Sequence, residues 1–232
     1  MKTMKNREVI GKAFYKSVPV MAGYIVLGIG FGILLRNAGY GVLWAFAMSV
    51  FIFAGSMQYV GIGLLTGGAS VITTIITTIM VNARHLFYSI SMIDKYKDSG
   101  KYKPYLIFAL TDETYSLLSD GTVPDGVEPD RYRFFVSLFN HCYWILGGVI
   151  GNLLGSILPF SSAGVEFSMT ALFVASFTEQ WLTKKNHIPA VTGLVSTLIC
   201  LLVFGTEFFL IPALLLMTLV LTILRKRGVK TV

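Results

Sequence analysis

Eight long apolar segments, which hold very few charges, restrict this chain to a membrane fold. Only 13% of its 232 residues are charged and the mean hydropathy is +0.70, whereas a soluble domain carries about 25% charged residues. A helix needs about 20 apolar residues to cross a bilayer. We therefore predict an all-α polytopic membrane protein, with apolar segments at about 17–35, 42–65, 70–93, 104–119, 132–158, 166–183, 188–204 and 208–224.

The distribution of Lys and Arg favours six full crossings over the alternative of eight simple spans. Cytoplasmic loops are rich in these residues, so the basic N-terminus at 1–16 is predicted to be cytoplasmic. Eight simple crossings would place the basic loop 94–103 outside the cell. If two segments are instead broken or re-entrant, 15 of the 19 Lys and Arg residues are cytoplasmic. The acidic loop 120–131 is then external, and the basic tail 225–232 is cytoplasmic.

The two segments predicted to be broken or re-entrant, 42–65 and 166–183, resemble each other. The stretch "SVFIFAGSMQYVG" in the first aligns with "ALFVASFTEQWLT" in the second, and each has a bulky apolar run, then small residues, then a glutamine. Gly and Ser weaken helices, and inverted repeats with broken helices are typical of secondary transporters. We therefore predict two inverted transmembrane repeats, 17–119 and 132–224. The alternative is two unrelated helices that pack through small residues.

Polar residues inside the apolar segments are candidates for a substrate pathway, because ionisable groups are costly in a membrane and are usually functional there. Two pairs lie at comparable depth in neighbouring segments: Arg84 with His85, and Asp112 with Glu113. Arg84 could neutralise one carboxylate while the other binds and releases a proton; a buried structural ion pair is the alternative. The predicted substrate-binding and translocation residues are Gly55, Ser56, Gln58, Asn82, Arg84, His85, Asp112, Glu113, Tyr115, Asn140, Ser176, Glu179 and Gln180.

Enzyme motifs are absent from the sequence. It contains no Walker A loop, no H-E-x-x-H, no G-x-S-x-G and no Cys/His cluster, so we predict no catalytic residues, no metal and no other cofactor. The net charge of +7 comes from basic residues that flank apolar segments. That pattern is typical of membrane orientation and not of nucleic-acid binding.

Four motifs together resemble the AzlC family, the larger subunits of branched-chain amino acid exporters. They are "FAGSMQ" at 53–58, "NARHLFY" at 82–88, "TDETY" at 111–115 and "FVASFTEQW" at 173–181. The resemblance implies a multi-pass plasma-membrane permease that exports hydrophobic amino acids such as leucine, isoleucine and valine. It also implies a separately encoded small membrane partner of the AzlD type. A higher oligomer is a further possibility.

A zwitterionic amino acid with an apolar side chain needs a donor or cation for its carboxylate, an acceptor for its ammonium group and an apolar pocket. Broken-helix backbone or Arg84 could supply the first, and Asp112 or Glu113 the second. We therefore predict proton-coupled secondary transport, with alternating access between the two halves. The alternatives are a passive facilitator or channel for small polar solutes, and a membrane subunit that assembles with a partner without transporting anything.

Overall fold

The computed structural model describes residues 6–157 and 186–227, together with isolated positions between 167 and 182. These residues form helices and the loops between them, with no strand in the described part of the chain, as the sequence predicts. The helices are α1 (Asn6–Asn37), α2 (Val42–Phe51), α3 (Gly55–Thr66), α4 (Val71–Tyr96), α5 (Lys103–Phe108), α6 (Asp112–Leu118), α7 (Pro129–Ile157), α8 (Ile188–Phe208) and α9 (Leu210–Lys226), with a 3₁₀ turn at Gly100–Tyr102.

Three stretches of the described helices are long and apolar enough to cross a membrane. They are Arg7–Asn37 of α1, Pro129–Ile157 of α7 and Ile188–Thr206 of α8. Large apolar side chains also face outward, and Leu202 of α8 is 85% exposed. Soluble monomers rarely expose broad apolar patches, so these surfaces support a membrane protein. The full number of crossings stays a prediction.

The chain divides into two compact units, residues 1–70 with 85–168, and residues 71–84 with 169–232. In the second unit, α8 and α9 pack against each other, and a Cβ added at Gly193 would lie 3.4 Å from the Met217 Sδ atom. Cys200 of α8 is buried there. Segment 166–183, predicted to be broken or re-entrant, has only isolated described positions, so that prediction lies outside the described residues.

In the first unit, α1 and α7 run parallel and touch through glycines. A Cβ added at Gly28 would lie 2.9 Å from the Gly147 Cα atom, and one at Gly32 would collide with the backbone of α7 around Gly151. Further towards the start of both helices, the rings of Phe14 and Phe139 meet at 5.5 Å. Small residues spaced four apart let helix backbones approach this closely. Both helices therefore start at the same end of the unit. The predicted inverted repeats would start them at opposite ends, so this arrangement does not support that prediction.

Residues 42–66 form a helical hairpin, named hairpin A, in which α2 and α3 are separated by Ile52, Phe53 and Ala54. Hairpin A enters from the end where α1 finishes, because the Tyr40 carbonyl before α2 accepts a hydrogen bond from Asn152 (3.0 Å). It then returns, because Tyr59 of α3 donates to the Leu27 carbonyl at 2.7 Å. Hairpin A therefore agrees with the prediction that segment 42–65 is broken or re-entrant in its broken form, and its re-entry into a membrane stays a prediction.

The break in hairpin A lies slightly earlier than the small residues that were predicted to cause it. Gly55 and Ser56 form the first turn of α3. The strained residue is instead Phe53, which has a φ of +40°, a conformation that is rare for a bulky residue. Gly55 has a different role: an added Cβ would lie 3.0 Å from the Trp144 ring. The close packing of Trp144 therefore favours glycine at this position.

Residues 103–118 form a second hairpin, named hairpin B, where the sequence analysis predicted one crossing helix at 104–119. It comprises α5 and α6, each under eight residues, with a break at 109–111. Thr111 caps α6 by accepting a hydrogen bond from the Thr114 N–H group (3.3 Å), and two acidic residues occupy the first turn. Such capping stabilises a new helix start, which explains why the segment does not continue as one helix.

Hairpin B starts and ends where α1 and α7 start. Lys16 of α1 lies 3.9 Å from Asp120, just beyond α6. Lys95, at the end of α4, donates to the Ser119 carbonyl, and Arg133 of α7 donates to the Lys95 carbonyl (2.9 Å). The loops 94–103 and 120–131 therefore lie at the same end of this unit. The topology predicted from sequence places these loops on opposite sides of the membrane, because it counts 104–119 as a crossing.

Candidate functional site

The two hairpins enter the first unit from opposite ends, and their breaks meet beside the middle of α7. The rings of Phe53 in hairpin A and Phe108 in hairpin B lie 6.3 Å apart. His141 of α7 stacks on Phe53 at 4.2 Å and contacts Phe108 at 5.7 Å. Irregular backbone at membrane depth survives only inside protein or beside a water-filled cavity. This meeting point, the hairpin junction, is therefore the candidate site.

His141 connects the two hairpins through its imidazole ring. Its Nε2 lies 3.1 Å from the Ser49 carbonyl in α2, and its Nδ1 lies 2.9 Å from the Tyr105 hydroxyl in α5. A carbonyl can only accept a hydrogen bond, so Nε2 carries a proton, and in the neutral ring Nδ1 then accepts from Tyr105. A neutral imidazole thus satisfies one group from each hairpin and holds the strained residue Phe53 by stacking.

Tyr24 of α1 binds the tip of hairpin B. Its hydroxyl donates to the Glu113 Oε2 atom at 2.7 Å and lies 2.6 Å from the Thr111 Oγ1 atom. Its ring packs edge-on against Phe53 of hairpin A (6.2 Å) and Trp144 of α7 (5.5 Å). Tyr24 therefore contacts both hairpins and α7 at once, and it places a carboxylate at the junction.

Gln58 of α3 presents unused hydrogen-bond donors at the junction. The Trp144 indole N–H donates to its Oε1 atom at 2.8 Å, and the side chain is fully buried. The Nε2 atom has no hydrogen-bond partner among the described residues. Because an indole nitrogen can only donate, the amide cannot flip, so the two N–H groups of Gln58 face away from Trp144.

Asn140 presents the complementary unused acceptor. This residue is also fully buried, and its Nδ2 atom donates to the Thr114 Oγ1 atom of α6 (3.1 Å). Its Oδ1 atom has no hydrogen-bond partner within the described residues. Buried polar groups nearly always have partners, so free groups on Asn140 and Gln58 are what a site for a polar ligand requires.

Asp112 and Tyr115 of α6 face α4 and not Tyr24. Asp112 Oδ1 lies 3.7 Å from His85 Nε2, and the ring of Tyr115 stacks on Tyr88 at 4.7 Å. The Tyr115 hydroxyl also accepts a hydrogen bond from Ser91 (3.1 Å). The consecutive acids Asp112 and Glu113 therefore have different surroundings, which sequence alone did not indicate.

The structure brings some of the predicted site residues together and leaves others aside. Gln58, Glu113 and Asn140 gather at the hairpin junction, and Gly55 and Ser56 begin the helix that carries Gln58. Asn82 and Arg84 belong to the second unit, so pairing of Arg84 with a carboxylate stays a prediction. The predicted residues Ser176, Glu179 and Gln180 lie outside the described residues.

Several residues of the junction were not among the predicted site residues. Thr111 had a readable signal, because Thr followed by two acids is typical of a capped helix start. His141 carried an ambiguous signal, because a lone His in an apolar segment is compatible with a ligand and with an interhelical hydrogen bond. Tyr24, Phe53 and Trp144 carried no signal, because aromatic residues inside apolar segments are common in any membrane helix.

A family described as "AzlC protein" matches residues 19–158. The matched region spans most of α1, both hairpins, α4 and α7. It therefore contains every residue that the structure places at the hairpin junction.

Similar proteins occur in distant bacteria. The chain is 45% identical to "Branched-chain amino acid transport protein AzlC" of Bacillus subtilis, over 92% of this chain and 84% of that protein. It is 45% identical to an "Uncharacterized membrane protein" of Haemophilus influenzae, over 90% and 86%. It is 27% identical to "Inner membrane protein YgaZ" of Escherichia coli, over 86% and 82%. No solved structure matches the chain.

Proposed function

Since the chain belongs to the AzlC family, we propose that it is a permease that exports leucine, isoleucine, valine and similar hydrophobic amino acids. The printed name of the Bacillus subtilis relative refers to branched-chain amino acid transport, and the two chains match over nearly their whole length. The basic segments at 1–16 and 225–232 support a plasma-membrane protein with both termini in the cytoplasm.

The observation that carries the proposal is the meeting of two opposed hairpins at buried polar residues. Transporters commonly bind substrate near the bilayer midplane, at interrupted helices whose backbone lines the site. Phe53 and Thr111 lie in the two interruptions, and both contact Tyr24. A movement of either hairpin would open the junction to one end of the unit, which is the geometry that alternating access needs.

Proton-coupled transport is part of the proposal, and Glu113 is the favoured proton carrier. Its carboxylate accepts a hydrogen bond from the Tyr24 hydroxyl at the junction, which supports a role beside the proposed substrate site. Asp112 is the second candidate, and it faces His85. A carboxylate in such a site can bind a proton in one state of the cycle and the substrate ammonium group in the other.

A small membrane subunit of the AzlD type is the proposed partner. The extensive apolar exposure of the described helices leaves surface for lipid and for such a subunit. Efflux experiments should therefore compare the chain alone with the chain expressed together with the small subunit.

Efflux from loaded cells tests the proposed function directly. Cells with and without the protein and its partner are loaded with labelled leucine, isoleucine, valine or lysine, and loss is followed across a set pH gradient. We expect faster loss of the three branched-chain amino acids, no change for lysine, and acceleration by the gradient. An efflux rate that does not depend on the pH gradient would identify a passive facilitator. Unchanged loss, with both proteins shown in the membrane, would contradict the transport proposal.

A further inference from the structure

We propose that the first turn of α3, together with the Gln58 amide, binds the α-carboxylate of the transported amino acid, and that Asn140 accepts its ammonium group. The inference rests on the proposed function and specifies which atoms of the hairpin junction recognise a zwitterion.

The start of α3 is a half-buried helix N-terminus whose N-cap residue, Ala54, makes no side-chain capping hydrogen bond. Ala54 occupies the capping position, where it offers no side-chain oxygen, and it is only 9% exposed. The first N–H groups of a helix have no acceptor within that helix, and the helix dipole makes this end favourable for an anion. With 12 residues, α3 is long enough for a developed dipole.

The Gln58 amide independently points to the same ligand. It belongs to the first turn and a half of α3, and the Trp144 ring lies along that turn, contacting Gly55 at one edge and Gln58 at its nitrogen. The indole holds the Gln58 oxygen, which leaves two N–H groups for a ligand oxygen. A carboxylate presents two acceptor oxygens, so it can use the helix N–H groups and the amide together.

Asn140 completes the recognition from the side of hairpin B. Asn140 and Trp144 are four residues apart on α7, so they lie on the same face of that helix one turn apart. The free Oδ1 atom of Asn140 is a neutral acceptor, and Glu113 adds a negative charge at the same hairpin. Donors thus come from hairpin A, and acceptors come from α7 and hairpin B, which matches the two charged ends of an α-amino acid.

Ligands that lack one charge test the proposal. The full chain is purified, and its unfolding temperature is measured at increasing concentrations of leucine or of leucinamide, which has no carboxylate. The rise in unfolding temperature gives the affinity for each ligand. Gln58→Glu keeps the oxygen that Trp144 binds but replaces the donor group with an anion. We expect this variant to weaken leucine binding about 10- to 100-fold and to change leucinamide binding by less than about threefold.

A matched buried amide provides the control. Asn152 is equally buried, but both of its donors are used, by the Gly32 and Tyr40 carbonyls. We expect Asn152→Ala to lower the unfolding temperature while it leaves the ratio of leucine to leucinamide affinity unchanged. If Gln58→Glu does not fold, Gln58→Met removes the donors without adding charge and should show the same selective loss.

The possible results separate the two proposals. Wild-type protein that responds to leucine, with Gln58 variants that keep its preference for leucine over leucinamide, would overturn the carboxylate site and leave the transport proposal standing. Equal loss of both ligands in the Gln58 variants would also overturn it. Wild-type protein that responds to neither ligand and shows no leucine efflux would refute the proposed function itself.

Discussion

At the residue scale, two neighbouring carboxylates, Asp112 and Glu113, have different surroundings that their sequence positions do not reveal. Asp112 and Glu113 both occupy the first turn of α6, where the helix dipole favours negative charge. A rotation of about 100° per residue along the helix directs one towards His85 and the other towards Tyr24. Their charge could be predicted to matter, but their roles depend on which helices pack on each side.

The carboxylate at the junction should control proton coupling. We expect Glu113→Gln to abolish the acceleration of leucine efflux by a pH gradient, because the variant cannot bind and release a proton. Asp112→Asn serves as the control and should keep most of the gradient dependence. Initial efflux rates at several fixed gradients provide the measurement. Gradient dependence that persists in Glu113→Gln but disappears in Asp112→Asn would reverse the assignment.

Asp120 should make a small, pH-dependent contribution to stability. Partial burial works against its charge, but hydrogen bonds from Thr122 and the charges of Lys16 and Lys95 outweigh it and lower the pKa of Asp120 below its ordinary value of 3.8. A lowered folded-state pKa stabilises the protein above the unfolded-state pKa, and this contribution is lost as the pH falls through the folded-state pKa.

We therefore expect Asp120→Asn to lower the free energy of unfolding at pH 7 by at most about 1 kcal/mol, as for exposed ion pairs. The difference between variant and wild type should shrink as the pH falls below about 4. Thermal unfolding of both proteins in detergent from pH 7 to pH 3 would show it. A difference that stays constant over this range would contradict the ionic explanation.

At the element scale, the contact of α1 with α7 and the two hairpins define the first unit. The four-residue spacing of Gly28 with Gly32, and of Gly147 with Gly151, is readable from sequence as a close helix contact. Hairpin A could be predicted from the distribution of Lys and Arg and from the small residues near its break, although the strained residue is Phe53. Hairpin B was missed, since its helix start at Thr111 lies inside a segment apolar enough to read as one crossing.

Alanine substitutions in α1 should distinguish contact glycines from others. Gly32→Ala would force the α7 backbone away from α1. We expect the free energy of unfolding to fall by about 1–3 kcal/mol, which is typical of overpacking. Gly23 has no atom within 4 Å of an added Cβ, so Gly23→Ala should be neutral or stabilising by up to about 1 kcal/mol. The unfolding midpoints of the two variants are measured in detergent. Equal midpoints would contradict a close contact between α1 and α7 at Gly32.

At the scale of the whole molecule, hairpin B changes the predicted topology. If 103–118 enters the membrane and returns to the same side, loop 120–131 lies on the cytoplasmic side together with loop 94–103. Arg131 of this loop and Arg133 at the start of α7 are then cytoplasmic and no longer external. A cytoplasmic position for these two arginines follows the positive-inside rule.

Single cysteines should report this topology. In a chain whose Cys142 and Cys200 are replaced by Ala, an impermeant thiol reagent added to whole cells should modify Ser70→Cys. It should not modify Asp98→Cys or Asp125→Cys, because loops 94–103 and 120–131 share an end of the first unit. Both of these should react in inside-out vesicles. Reaction of Asp125→Cys in whole cells would instead show that loop 120–131 is external, as predicted from the sequence.

The parallel contact between α1 and α7 also has a consequence for biosynthesis. Gly32 and its hydrogen-bond partner Asn152 are 120 positions apart, and ribosomes add about 5–20 residues per second. The glycine face of α1 therefore remains without its natural neighbour for roughly 6–24 s after it leaves the ribosome. During that interval the nascent chain depends on lipid or on the insertion machinery to shield the face that α7 later covers.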